Sequence, residues 1–262
     1  SLKYLGREKE FKKISSRNII ISNISMAFSF AIGAYLFTIN PKLPAYLSIP
    51  FMALSLILAF FYTEPYPTSK KLDFHESIFH LKKSLKESLG NKELLKIMLF
   101  AFFIPTIFTI VMSNSSIYYN AIKIPTEIIG IVTILTSLTI AYAARKTEKI
   151  ENKIGELNSF RLSYIIMILG IIGLLFFLPY YGIIFVVMIA FGNGYYQVFS
   201  GDYVNKRVET ENRATMLSIN NMFTDVGEFL MFLLFGIVVG AYSLFFGIAM
   251  LLSLVYGLQL LF

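Results

Sequence analysis

Apolar residues in this chain form continuous runs of about 20, the length needed to cross the hydrocarbon core of a bilayer. Eight such runs stand out, at 16–37, 44–62, 94–117, 126–144, 158–178, 182–201, 214–238 and 242–262. Strands of a membrane barrel would instead alternate in polarity over about 10 residues. The pattern therefore predicts an all-α fold, a polytopic helical bundle of about eight transmembrane helices. The longest polar connection, 63–93, opens with Pro65 and Pro67. Phe74, Ile78, Leu81, Leu85 and Leu89 then recur at helical spacing opposite His75, Glu76, Lys82, Lys83 and Lys86. This spacing predicts an amphipathic helix along the membrane surface, closed by Gly90 and Asn91, with a solvated linker helix as the alternative.

The basic residues give the bundle a direction. Of 23 lysines and arginines, 21 fall in alternate connections and only Lys42 and Lys123 in the others. Lysine and arginine are retained on the cytoplasmic side of a membrane, so both ends of the chain are expected in the cytoplasm. The net charge of +7 then reflects topology, and no nucleic-acid partner is called for. The expected surroundings are a lipid bilayer, with the plasma membrane as the location.

Composition narrows the chemistry. Apolar residues make up 56% of the chain and charged ones 15%, against roughly 25% charged in soluble domains. Without cysteine there is no disulfide, thiolate site or thiol nucleophile, and His75 and His80 are the whole imidazole supply. No metal, cofactor or enzyme chemistry is predicted. The chain opens on Ser1 and closes at Phe262 inside an apolar run, which predicts a piece of a longer protein.

Several segments carry a resemblance: Gly6-Arg7-Glu8-Lys9-Glu10-Phe11 before the first run, Phe61-Tyr62-Thr63-Glu64-Pro65 at the end of the second, and the long basic connection. The most specific is Arg213-Ala214-Thr215-Met216-Leu217-Ser218-Ile219-Asn220, entering the seventh. Together they resemble the major facilitator superfamily of secondary transporters. In that family a segment like the last begins the eleventh of twelve helices, and a long loop joins the sixth to the seventh. The resemblance thus implies helices five to twelve, with four further helices of the same protein as partners. Residues 1–62 would be two helices of the first half, 63–93 the central connection and 94–262 the six-helix second half. Residues 144–155 resemble a degraded copy of the family's cytoplasmic loop motif, suggesting Arg145 and Arg213 as residues of a cytoplasmic gate. Residues 27–35 lack the glycine-proline motif of drug–proton antiporters. The implied activity is secondary active transport of a small molecule by alternating access, with a non-transporting scaffold or sensor as the alternative.

Two acids sit inside an apolar run, Asp225 and Glu228. Counted from Ala214, Asp225 lies about 17 Å along its helix, near the middle of a core about 30 Å thick. Asn221, Asp225 and Glu228 are spaced by 4 and 3 and share a face. A charge at mid-membrane costs at least about 2.5–3.5 kcal/mol, so such a face turns toward protein or water. The pair is the candidate for proton coupling, with Asn221 as a substrate or relay contact; the alternative is an acid paired with a basic or amide group on a neighbouring helix, which fixes packing and never titrates. Neutral polar groups on the helices that the resemblance assigns to a cavity add Asn193 and Gln197, Asn114 and Tyr118 beyond Pro105, and Asn23. Each of these equally suits hydrogen bonding between helices. Ser29 and Gly33 read first as a small-residue packing face. Tyr118, Tyr119, Tyr180, Tyr181 and Tyr242 are expected in an interfacial aromatic belt, and Tyr195 and Tyr196 deeper in the core.

Overall fold

A computed structural model of the protein describes residues 10–61, 90, 92–207 and 213–259, and among these residues each of the eight apolar runs lies mostly on helix. The helices are α1 (Phe11–Ile39), α2 (Leu43–Phe60), α3 (Lys92–Ser113), α4 (Ser115–Ala121), α5 (Thr126–Ile154), α6 (Glu156–Leu175), α7 (Gly182–Arg207), α8 (Arg213–Ala241) and α9 (Leu244–Gln259). Among the described residues, six helices are long and apolar enough to cross a membrane. Phe102–Ser113 in α3 and Leu244–Leu254 in α9 are shorter apolar stretches. In lipid a helix satisfies its own backbone groups, and that suits runs with so few breakers. The predicted amphipathic helix of residues 63–93 falls almost wholly outside the described residues.

The main departure from expectation is at the polar ends of two helices. The connection at 144–155, read as a loop motif, is helical to Ile154, so that α5 runs 29 residues. Lys149, Glu151 and Lys153 are good helix formers, and nothing breaks the helix before Gly155. That residue alone joins α5 to α6, at φ 81°, a conformation open to glycine without a Cβ clash. In the same way α7 continues past Ser200 to Arg207. The third run is interrupted near its end. Helix α3 passes through Pro105 and stops at Asn114, whose side-chain amide donates to the Ile110 carbonyl at 2.9 Å. An amide that competes for a backbone carbonyl in this way favours a helix end.

Helix α7 is the axis of the packed part, lying against α5, α6 and α3, while α8 packs on α3 and α9. At Gly194 a Cβ would stand 2.6 Å from the Ile140 carbonyl oxygen and 2.8 Å from its Cα. The α5–α7 approach therefore depends on a residue with no side chain. Ile189, Ala190, Tyr195, Tyr196 and Phe199 close the core, and both tyrosines lie deep, as their position predicted. Tyr180, Tyr181 and Tyr242 are exposed as an aromatic belt requires. Tyr118 and Tyr119 are not: at 5% and 2% exposure they pack edge to face at 6.2 Å. Tyr118 also lies 5.6 Å from the Phe177 ring, and both tyrosines belong to the apolar core.

Helix α2 stands apart from the packed part. Helix α1 lies along α5 and touches α7, whereas α2 packs on α1, and none of α2 is buried. Gly33 does not pack against α2: a Cβ added there would have nothing within 4 Å. A groove of about 570 Å³ opens there instead, lined by Ser29, Gly33, Ser48, Phe51 and Ser55 among others.

Candidate functional site

The two acids of α8 have different surroundings. Glu228 is half-buried and accepts a hydrogen bond from the Thr109 hydroxyl of α3 at 2.8 Å. One residue earlier, Gly227 brings the helices together, since a Cβ there would stand 2.6 Å from the Phe102 carbonyl. Glu228 is thus tied into the α3–α8 seam. Asp225 and Asn221, one turn apart, are exposed on the open face of the same helix. Their neighbour Asn220 has a buried side-chain oxygen with no hydrogen-bond partner.

The neutral candidates divide similarly. Asn193 is 1% exposed, and neither its amide nitrogen nor its oxygen has a partner, whereas Gln197, one turn further, is exposed. An unpaired buried amide costs about 1–3 kcal/mol for each unsatisfied group, which marks Asn193 as a place for water or a ligand group. Asn114 and Tyr118 do come together, with Val186, Phe235 and Leu251, around a cavity of about 20 Å³. That is room for about one water. Asn23 donates to the Ile19 carbonyl of its own helix at 2.9 Å.

A third cluster lies at the basic end of the bundle. The Lys12 ammonium of α1 donates to the Glu151 carboxylate of α5. It also stands 3.7 Å from the Asp202 carboxylate of α7. The three side chains are 12%, 6% and 8% exposed, and one turn along α1 the Ser16 hydroxyl donates to the Ala144 carbonyl at 2.8 Å. Arg145 is exposed, and Arg213 opens α8, its side chain lying outside the described ones.

Residues 5–232 match the sequence pattern of the Major Facilitator Superfamily. The chain belongs to that superfamily. It is therefore a multi-pass membrane protein and a membrane transporter of the facilitator type, in agreement with the resemblance read from its motifs. No curated protein sequence matches it.

Within this transporter, the residues that sequence reasoning passed over are Glu151 and Asp202. Both lie in stretches read as polar connections, outside the apolar runs, where an acid among lysines attracts no attention. Only the extra helical turns of α5 and α7 carry them back against the bundle. A usable signal was the spacing of Ala144, Thr147 and Glu151 by 3 and 4, which sets a carboxylate in line with two small residues on one helix face.

Proposed function

We propose that this facilitator is a proton-coupled secondary transporter of a small polar molecule, in which Asp225 is the residue that takes up and releases the proton. The observation that carries the reading is the exposure of Asp225 and Asn221 on α8. A carboxylate at that depth is untenable against lipid tails, so the face belongs to a water-filled path or to covering protein. Four further helices of the same protein, placed before α1, would close that path. The chain would then span helices five to twelve, with its basic end and both termini in the cytoplasm and the plasma membrane as its location. Substrate contacts come from Asn221, Gln197 and Asn193, while Glu228, already bonded to Thr109, holds α3 to α8. Alternating access exposes this site to one side at a time.

The test is solute-driven proton movement in proteoliposomes containing the full protein and an internal pH indicator, across a panel of sugars, amino acids, peptides and organic acids. A solute that moves protons through the native protein, and no longer does so in Asp225→Asn, supports the reading. Coupling that survives in Asp225→Asn but is lost in Glu228→Gln would reassign the proton to Glu228. Absence of flux for every solute in the panel would favour the scaffold or sensor alternative.

A further inference from the structure

Helix α5 carries a second pattern on the side away from its neighbours. Ile131, Leu135, Leu138 and Tyr142 recur at offsets 4, 3 and 4, and Lys146, Lys149 and Lys153 continue the series at 4, 3 and 4. At 3.6 residues per turn all of them fall within about 40° of one line along the helix, with Arg145 about 60° to one side. The first four are 64%, 44%, 46% and 56% exposed. Arg145, Lys149 and Lys153 are exposed as well, and Lys146 is half-buried. We infer that this stripe binds an anionic phospholipid, with the headgroup phosphate on the lysines and Arg145 and an acyl chain along Leu138, Leu135 and Ile131. The inference needs the chain to sit in a membrane, as its family requires, and does not depend on proton coupling.

Register separates this stripe from the general excess of basic residues at one end of a membrane protein. That excess keeps lysines on one side of the bilayer but gives them no preferred helix face. Here every basic residue of 145–153 lies on the exposed side of α5. Glu148 is about 120° away from the line, and Glu151 points in the opposite direction, buried against Lys12 of α1. Among the described residues the ion pairs are made by Lys12 and by none of these four cations, so their charge is available to an anion. Depth agrees. Arg145 lies about 29 Å along the helix from Thr126, close to the thickness of a hydrocarbon core of about 30 Å. The three lysines follow within about 12 Å, at the level of the lipid phosphates and just beyond. Tyr142 stands at the junction, where amphipathic rings settle. The Lys146 ammonium lies 5.5 Å from the centre of its ring, a cation–π contact that holds this charge on the membrane side of the cluster. A soluble anion would use only the basic half of the stripe, and a neutral lipid only the apolar half. The two halves in one register fit a partner that is both, and anionic lipids are what gives a cytoplasmic membrane surface its negative potential.

The sequence holds no tryptophan, so one introduced as Leu138→Trp reports the lipid beside it. Leu138 lies about 10 Å along the helix from Arg145, at the depth of the middle of an acyl chain. The reference is Leu169→Trp, 49% exposed on α6, a helix with Arg161 as its single basic residue. The full protein, with any tryptophan in the proposed further helices replaced by phenylalanine, is reconstituted in vesicles of phosphatidylcholine and phosphatidylglycerol. One lipid or the other carries bromine at mid-chain, and fluorescence quenching gives the relative binding of the two at each reporter. The expected preference for phosphatidylglycerol is about fivefold at Leu138→Trp, against about equal binding at Leu169→Trp. Lys146→Gln combined with Lys149→Gln should remove most of the preference, Lys149→Arg should keep it, and Lys153→Gln, farther from the phosphate, should weaken it least. Unchanged quenching at Leu169→Trp in every variant shows the fold to be intact. Equal binding of both lipids at Leu138→Trp overturns the site. So does a preference of the same size at both reporters, or one that survives the double substitution, since either would make the attraction a property of the net charge. A Leu138→Trp signal that neither brominated lipid quenches would mean that protein covers the stripe, which overturns it too. No solute enters this measurement, so its outcome is independent of the flux assay.

Discussion

Helices α2 and α7 are both apolar enough to span a membrane, yet 61% of the apolar window of α7 is buried in protein and none of that of α2. The contrast separates two properties that coincide in soluble proteins. In water, apolarity drives burial. In lipid the surroundings are as apolar as the side chains, and helices associate through close packing and polar contacts. What α7 has and α2 lacks is therefore not hydrophobicity. It has Gly192 and Gly194 flanking Asn193, and Ser200 and Asp202 near its polar end, whereas α2 has neither a glycine nor a charged residue, and its Ser48 and Ser55 line the open groove.

The sharpest way to break this comparison is to remove one large side chain from each helix. Ile189→Ala in α7, at 0% exposure, should cost about 2–5 kcal/mol in reversible unfolding from mixed micelles. Phe51→Ala, 63% exposed on α2, should stay within about 0.5 kcal/mol. A matching loss at Phe51 would mean that α2 is covered by protein. Next in size is overpacking. Gly194→Ala drives a methyl into the Ile140 backbone and should destabilise by about 1–3 kcal/mol; Gly33→Ala meets nothing and should leave the melting temperature unchanged. Apart from the Phe51→Ala and Gly33→Ala controls, the smallest effect expected is that of Thr109→Val, which removes the hydrogen bond to Glu228. Interhelical bonds in membranes average about 0.6 kcal/mol, so a shift several times larger would make Glu228 more than a packing residue.

Much of this molecule was legible before any coordinates. Eight apolar runs located the helices because helical hydrogen bonding is compulsory in hydrocarbon, and the segment from Arg213 to Asn220 carried the family. The candidate site was legible in part. Asp225 and Glu228 were found as a pair because they interrupt an apolar run, but their spacing places both on one broad face and says nothing of which neighbour each one meets. Thr109 meets Glu228, and Asp225 stays open. Likewise Asn193 and Gln197 share a face in sequence, yet one is sealed in the core and the other exposed.

The sequence by itself determined the helices and their order, through runs whose length matches a bilayer and whose interruptions are few. It did not determine which acids are buried. Hydropathy places Glu151 and Asp202 outside the apolar spans and Asp225 within one, while in the folded chain Glu151 and Asp202 are buried and Asp225 exposed. Burial in a membrane bundle is decided by which helix lies alongside. That depends on contacts between residues far apart in the chain, such as Lys12 with Glu151, and no local pattern records them.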